Sequence, residues 1–450
     1  MAFDRKWLRV HRGELPVVAK DSFAYNLLFS SGRSLVTIVA QLIFTPIIVR
    51  IYDPMAYGSF GFIMSFSAIC LPLFTLQYDR ALFLAKDEDE IQALRAASNT
   101  FPLLLATLLF IIIWVAKDEI LYYTNAENLG HGLFLVPVLI ATGAIAQTSQ
   151  RMVAVRYRYK EGFLYGGAMV LGSKLTAIAY GIFLGSHFFG LALAEALNKV
   201  LQHVINARYI LKEKRLLDPR HFRLTGRLTV LRKYSGFPRF EVPAVAIAAA
   251  SNHIPFLWIP AFFGLPAFGQ YTLAVSLLEM PMRLVGYSLS GVFFQKAVRT
   301  FREKGAGELE RITLRTMMSV IAASIVPLLL ILFFARTVFI WLFGQEWAMA
   351  GSLSSILSIF YIARLIVEPI SSVLRVIGEQ KSYLGSHIFM LLLRMSAVAF
   401  AIANSELLEG SIWTYSLIGM VGYLSLGIYM IIRLKHHKHL AAMNKPDAPQ

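Results

Sequence analysis

Apolar runs of about twenty residues alternate with short polar or basic intervals along the whole 450-residue chain. An α-helix needs about 20 residues to cross roughly 30 Å of hydrocarbon. Windows of that kind fall at 23-49, 57-77, 97-116, 132-153, 162-185, 187-208, 237-262, 265-293, 313-335, 348-372, 382-403 and 411-432. The pattern predicts an all-α polytopic membrane protein with about twelve transmembrane helices. The first run, Phe23 to Val49, is longer than the 7 to 15 residues or so of a signal-peptide core, so it is expected to stay as the first span.

Charge supplies an independent test of the count. Twelve spans put both termini on one side, and 34 of the 43 Lys and Arg then fall in the segments of that side, against three (Arg50, Lys117, Arg336) in the opposite loops and six within spans. A missed span would swap the sides of all later loops and erase that bias, so the even count follows and both termini are expected in the cytoplasm. The opposite loops are short, the longest running from Lys117 to His131, while the largest inner loop, Ile210 to Ser235, lies at mid-chain.

That midpoint divides the chain into a cytoplasmic segment (1-22), an N-terminal lobe (23-209), a basic loop (210-235), a C-terminal lobe (236-432) and a cytoplasmic tail (433-450). The lobes begin alike: Tyr57-Gly58-Ser59-Phe60 follows Pro54, and Phe268-Gly269-Gln270-Tyr271 follows Pro266. Aromatic-glycine pairs are common in spans, but together with the six-plus-six layout they point to two pseudo-symmetric halves. Pro54 and Gly58 are expected to shape a turn, and Trp347 to anchor at the membrane interface.

Composition fits a bilayer better than water, with 57% hydrophobic and 16% charged residues against about 45–50% and 25% in a soluble domain. The net charge of +16 is spread over loops rather than gathered on one face, so nucleic acid is not an expected partner. Cys70 is the only cysteine, which excludes an internal disulfide and a cysteine metal site. Gly167 to Lys174 has phosphate-loop glycine spacing, but its Ser and Lys stand in the wrong order inside a span. No cofactor is expected, and His436, His437 and His439, in a basic tail, suit lipid head groups better than a metal.

The candidate chemistry lies in six cations within spans: Arg33, Lys174, Lys199, Arg283, Arg364 and Arg394. At roughly 2.5 to 3.5 kcal/mol each, exposing all six to lipid would cost on the order of 15 to 20 kcal/mol, so they should face protein or a water-filled cavity. Glu195 with Lys199, Glu279 with Arg283, and Arg364 with Glu368 are four apart, which places each pair on one helix face. Such pairs either neutralise charge locally or act as gates, with Glu195, Glu279, Glu368 or the separate Glu241 as proton carriers. Arg33, Lys174 and Arg394 lack a local carboxylate, and Lys174 and Arg394 occupy corresponding spans of the two halves. Facing each other, they would give a cationic cavity suited to a phosphate-bearing head group.

Thr45 to Phe62 (TPIIVRIYDPMAYGSFGF), Leu76 to Glu90 (LQYDRALFLAKDEDE) and Phe343 to Gly351 (FGQEWAMAG) resemble segments of the polysaccharide-biosynthesis flippases, among them the O-antigen flippases, of the multidrug/oligosaccharidyl-lipid/polysaccharide superfamily. The resemblance implies a MATE-like fold in the bacterial inner membrane and alternating access between two lobes. Its implied cargo is an undecaprenyl-diphosphate-linked oligosaccharide for O-antigen, capsule or exopolysaccharide assembly. Membrane lipids, a polysaccharide polymerase and chain-length components are the other implied partners. Two further classes compete. A multidrug exporter of the same superfamily would want an acidic, aromatic cavity, and a membrane glycan polymerase or ligase would want a large periplasmic loop with catalytic residues, which this chain does not contain.

Overall fold

The computed structural model describes residues 22–156, 159–212, 222, 228–404 and 407–443. The secondary structure among them is helical: α1 (Ser22–Ile51), α2 (Pro54–Phe74), a short α3 (Tyr78–Ala81), α4 (Glu88–Tyr123), α5 (Leu135–Val155), α6 (Tyr159–Phe183), α7 (Phe188–Ile205), a short α8 (Leu228–Lys233), α9 (Val242–Asn252), α10 (Ile254–Pro281), α11 (Tyr287–Phe343), α12 (Ala348–Val367), a short α13 (Val373–Val376), α14 (Gln380–Asn404) and α15 (Leu408–Met443). Much of the expected basic loop, at 213–221 and 223–227, and the segment 1–21 fall outside the described residues.

Eight stretches among the described residues are long and apolar enough to cross a membrane. One of them, Trp258–Phe343, runs for 86 residues, several times a bilayer crossing. Two glycines divide it. Gly264 (φ 78°) and Gly305 (φ 79°) sit in a region of backbone space closed to side chains with a Cβ, so the helix breaks at each. Leu265, just after the first break, packs at the end of α2 where α1 gives way to it, whereas Gly307, just after the second, lies beside Lys438 at the opposite end. The stretch therefore passes through the bundle between those points and returns. With α1 and the more polar α7 added, the helices accommodate the twelve expected crossings.

The bundle is apolar on the outside, as a lipid solvent allows, and encloses polar groups within a largely apolar core. Leu42, Ile43, Trp114, Phe183, Phe333 and Trp341 are exposed, whereas Asp79, Thr148, Ser358 and Ser416 are buried. We call the end bearing Arg433 and Lys438 proximal, and the end bearing Trp347 distal. α15 runs on as helix to Met443, past the expected end of the last span at 432, and α4 continues to Tyr123 beyond a kink at Ala116.

Candidate functional site

The two halves meet at the distal end through bare backbone. Asp53 caps α2, its side chain accepting from the Ala56 amide at 2.7 Å, and Pro54 occupies the first turn where no amide bond is lost. One turn on, a Cβ on Gly58 would lie 1.9 Å from the Leu265 carbonyl oxygen, and a Cβ on Gly269 would lie 2.0 Å from that of Pro54. Pro54 is four residues before Gly58 and Leu265 four before Gly269, so each glycine packs on its counterpart's preceding turn. The third contact follows the same rule: Gly61 faces Thr272, and each is three residues past its glycine. This reciprocity is a local two-fold axis, and it explains the matched Tyr57–Phe60 and Phe268–Tyr271 segments. Gly58 therefore serves a helix crossing and not the expected turn.

Trp347 is likewise not an interfacial anchor. It is 1% exposed, donates its indole N–H to the Val49 carbonyl at 3.0 Å and stands edge-on to Tyr57, with ring centroids 5.6 Å apart. Arg50 donates to the carbonyls of Trp341 and Leu342, both at 2.9 Å, and so caps the distal end of α11. Gln270 donates to the Glu346 carbonyl at 2.6 Å and accepts from the Ala350 amide at 2.9 Å. The Phe343–Gly351 motif is thus a seam between the first half and the second.

A continuous charge network fills the interior of the second half. Arg364 on α12 is 5% exposed and donates from Nη1 to Glu279 of α10 at 2.6 Å and from Nε to Glu368 at 2.5 Å. The Tyr423 hydroxyl of α15 donates to the same Glu368 oxygen at 3.3 Å and accepts from Arg394 Nη2 at 3.0 Å. Arg394 on α14 is 3% exposed, and its Nη1 reaches the Ser251 carbonyl and hydroxyl, both at 2.9 Å, and the Asn252 side chain at 3.1 Å. Two sequence expectations are corrected here. Glu279 pairs across helices with Arg364 rather than with Arg283, which donates to the Ser276 carbonyl at 3.3 Å. Arg394 does not face Lys174, because its guanidinium is held by four groups on α9 and α15 and by the Phe360 ring at 5.3 Å.

In the first half a smaller charge cluster lies between α6 and α7. Glu195 and Lys199 form the expected pair on α7 at 2.8 Å. Lys174 on α6 lines a cavity of about 50 Å³ with Glu195, Ser173, Thr45 and Tyr57, so Glu195 stands between two lysines. The carboxylate of Glu195 and the guanidinium of Arg283 both lie within electrostatic reach of Lys174. Arg283 donates to the Ser276 carbonyl, an acceptor it shares with Gln41 of α1, both at 3.3 Å. Arg33 belongs to α1, and its side chain lies outside the described residues.

The proximal face is tied by ion pairs. Glu241, expected as an isolated carboxylate, meets Arg80 of the first half at 2.5 Å. Lys233 and Tyr234 both bond Glu90, and these bonds with the Lys86 amide draw the Glu90 carboxyl down to about 2. Burial and that same carboxylate push the Tyr234 hydroxyl up to about 12. Arg433, with Ser382, draws Glu379 down to about 2.

A teichuronic acid biosynthesis protein, TuaB of Bacillus subtilis (strain 168), is 22% identical over 349 residues, 75% of this chain and 68% of that protein. Solved structures share the fold. An inward-facing multidrug resistance MATE family transporter of the MOP superfamily matches with a TM-score of 0.68 and 16% identity, over 90% of this chain and 99% of its own. The lipid II flippase MurJ, in an inward closed conformation, matches with a TM-score of 0.65 and 14% identity, over 94% of each chain. A MOP superfamily transporter from Pyrococcus furiosus matches with a TM-score of 0.58 and 16% identity, over 92% and 96%. The family described as "Polysaccharide biosynthesis protein" matches residues 47–351, which contain the glycine crossing and the Trp347 seam, and the chain belongs to that family.

Proposed function

We propose that the protein is a flippase of the inner membrane that carries an undecaprenyl-diphosphate-linked oligosaccharide from the cytoplasmic to the periplasmic leaflet, for O-antigen, capsule or exopolysaccharide assembly. The proximal end, on the side of the arginine- and lysine-rich loops, is the cytoplasmic one. The lobes are residues 23-209 and 236-432, joined by the basic loop 210-235, and they exchange access by rocking about the α2–α10 crossing. The observation that carries this reading is the closed distal seam, with Lys174 lining an interior cavity of the first half and Arg283 sharing the Ser276 carbonyl with Gln41 of α1 where the halves meet. A diphosphate head group needs a shielded cationic path, while its lipid tail stays in the bilayer.

The carboxylates of Glu279 and Glu368 and the tyrosines around them favour one alternative, an exporter of organic cations. A leaflet-resolved assay separates the two. In proteoliposomes the wild type should move a lipid-diphosphate oligosaccharide, and the Lys174→Gln/Arg283→Gln double variant should be at least about tenfold slower, equivalent to about 1.4 kcal/mol. Unchanged glycan movement in that variant would remove the cationic path. Movement of an organic cation, with none of the glycan, would establish the exporter.

A further inference from the structure

A groove of about 420 Å³ runs between α14 and α15. Ser382, Gly385, Ser386 and Phe389 line it from α14 at the i, i+3, i+4 and i+7 spacing of one helix face, and Ser425 and Tyr429 line it from α15. Nothing lies within 4 Å of a notional Cβ on Gly385, and Ile388, Phe389 and Ile428 around the groove are exposed. Behind it the two helices are packed shut, with a notional Cβ on Gly422 only 2.6 Å from the Leu393 side chain. Arg394, which bonds α9, lies five residues past Phe389 and on a different face of α14. The groove therefore opens to the membrane and not to the interior between the halves.

Towards the proximal end the groove changes character. Ser425, Tyr429, Arg433 and His437 follow one another at four-residue steps, so one stripe of α15 leads from the groove wall to a basic helix end. Ser425 and Arg433 are roughly 12 Å apart along that stripe at 1.5 Å per residue. The Tyr429 hydroxyl donates to Ser382 at 2.9 Å, and Ser382 donates to Glu379 at 2.7 Å. Arg433 lies over the Tyr429 ring at 5.9 Å and donates from Nη2 to Glu379, while its Nε has no partner among the described residues. Ser382, Arg433 and His437 together cover the Glu379 carboxylate. From Gly410 to Met443 α15 carries Arg433, Lys435 and Lys438 and no acid. An apolar slot that ends in hydroxyls and then in cations matches the profile of a phospholipid, from chain to phosphate.

We infer that this groove binds an anionic diacyl phospholipid of the leaflet at the proximal end, one acyl chain lying between α14 and α15 and the phosphate bonded by the Arg433 donors that Glu379 leaves free. Charge selects this occupant. A zwitterionic head group would bring its own ammonium towards Arg433 and Lys435. A second copy of the chain, oriented alike in the membrane, would bring an identical basic helix end to the same depth, and like charges would oppose it. The tail of a cargo whose head group passes between the halves would have to reach a face of α14 that points away from α9. The site lies off that route, so the inference goes beyond the flippase reading and does not depend on it.

The test is native mass spectrometry and thermal unfolding of the full-length protein in a non-ionic detergent, titrated with dioleoyl phosphatidylglycerol, dioleoyl phosphatidylcholine or geranylgeranyl phosphate. The wild type should hold one phosphatidylglycerol about tenfold more tightly than phosphatidylcholine and melt at a higher temperature with it. Gly385→Leu fills the groove; it should melt like the wild type in detergent alone and lose the tight site by about tenfold or more. Arg433→Gln/Glu379→Gln removes the cation together with its carboxylate, and should lower phosphatidylglycerol to the affinity of phosphatidylcholine while leaving the latter unchanged. Equal retention of the two phospholipids by the wild type overturns the inference, as does either variant that holds phosphatidylglycerol as the wild type does. Displacement of phosphatidylglycerol by equimolar geranylgeranyl phosphate would give the groove to an isoprenoid tail, and a dimer that Gly385→Leu dissolves would give it to a second copy. Each of those results also overturns it.

Discussion

The two halves keep their symmetry where backbone touches backbone and abandon it where side chains carry charge. At the α2–α10 crossing Gly58 and Gly269 meet reciprocal carbonyls at 1.9 and 2.0 Å from a notional Cβ, so neither side can drift in size without moving a main chain. In the interiors no such constraint acts. The second half ties Glu279, Arg364, Glu368, Tyr423 and Arg394 into one network, while the first holds Lys174 and Glu195 around a cavity of about 50 Å³, with Lys199 paired to Glu195 beside it. A shared scaffold has thus been given one rigid contact and two different chemistries.

The largest effect expected breaks the symmetric contact itself. Gly58→Leu or Gly269→Leu drives a side chain into a backbone carbonyl, and each should cost more than the roughly 1–3 kcal/mol of ordinary overpacking and reduce glycan movement to background. The two variants should behave alike in thermal unfolding and in transport. Gly385→Leu, whose Cβ meets nothing within 4 Å, should stay near wild type in both. Strongly unequal results from the paired glycines would dissolve the two-fold argument.

The charge asymmetry predicts the next effect. Arg364→Met removes a buried arginine and leaves the half-buried Glu279 and Glu368 without their partner; it should destabilise by about 2–3 kcal/mol, less than the full cost of a buried orphan charge, seen as a lower melting temperature in detergent. Adding Glu279→Gln and Glu368→Gln should restore most of it. Lys199→Met in the first half removes a more exposed pair and should cost no more than about 1 kcal/mol. Equal losses from Arg364→Met and Lys199→Met would contradict the contrast between the interiors.

Smaller again is Trp347→Phe, which keeps the ring but leaves the Val49 carbonyl without its donor, at about 1 kcal/mol. The proximal ion pairs should matter least. Glu90 and Glu379 have folded-state values lowered to about 2 from 4.5. Their contribution is complete above the unfolded value and is lost as pH falls towards 2. Protease cutting near residues 228–241 should therefore rise below pH 4.5 in the wild type and be high at neutral pH in Glu90→Gln; a flat profile in the wild type would assign these pairs no role.

Much of the fold was legible in the sequence because membrane helices announce themselves by length and by loop charge. The glycine pair was legible too, since Tyr57–Phe60 and Phe268–Tyr271 repeat one pattern at the same place in each half. Spacing along one helix identified Glu195–Lys199 and Arg364–Glu368, which the structure forms. The same rule paired Glu279 with Arg283 wrongly, because it cannot see Arg364 arriving from another helix. Arg394 looked alone for a related reason: Ser251, Asn252 and Tyr423 are uncharged and sit on two other helices, so no charge pattern betrays them. Trp347 had the composition of an interface anchor, and only its bond to Val49 across the seam shows it buried. Gln270, inside the repeated segment, was the available signal for that seam.

The measurement that tests the account most directly is leaflet-resolved movement of a lipid-diphosphate oligosaccharide with the distal seam locked. Cysteines at Arg50 and Leu342, in a Cys70→Ser background, are joined by a cleavable bifunctional thiol reagent in proteoliposomes. The account predicts transport before linking, none while the seam is held, and recovery once the linker is cleaved. Undiminished transport with the seam locked would contradict alternating access about the α2–α10 crossing.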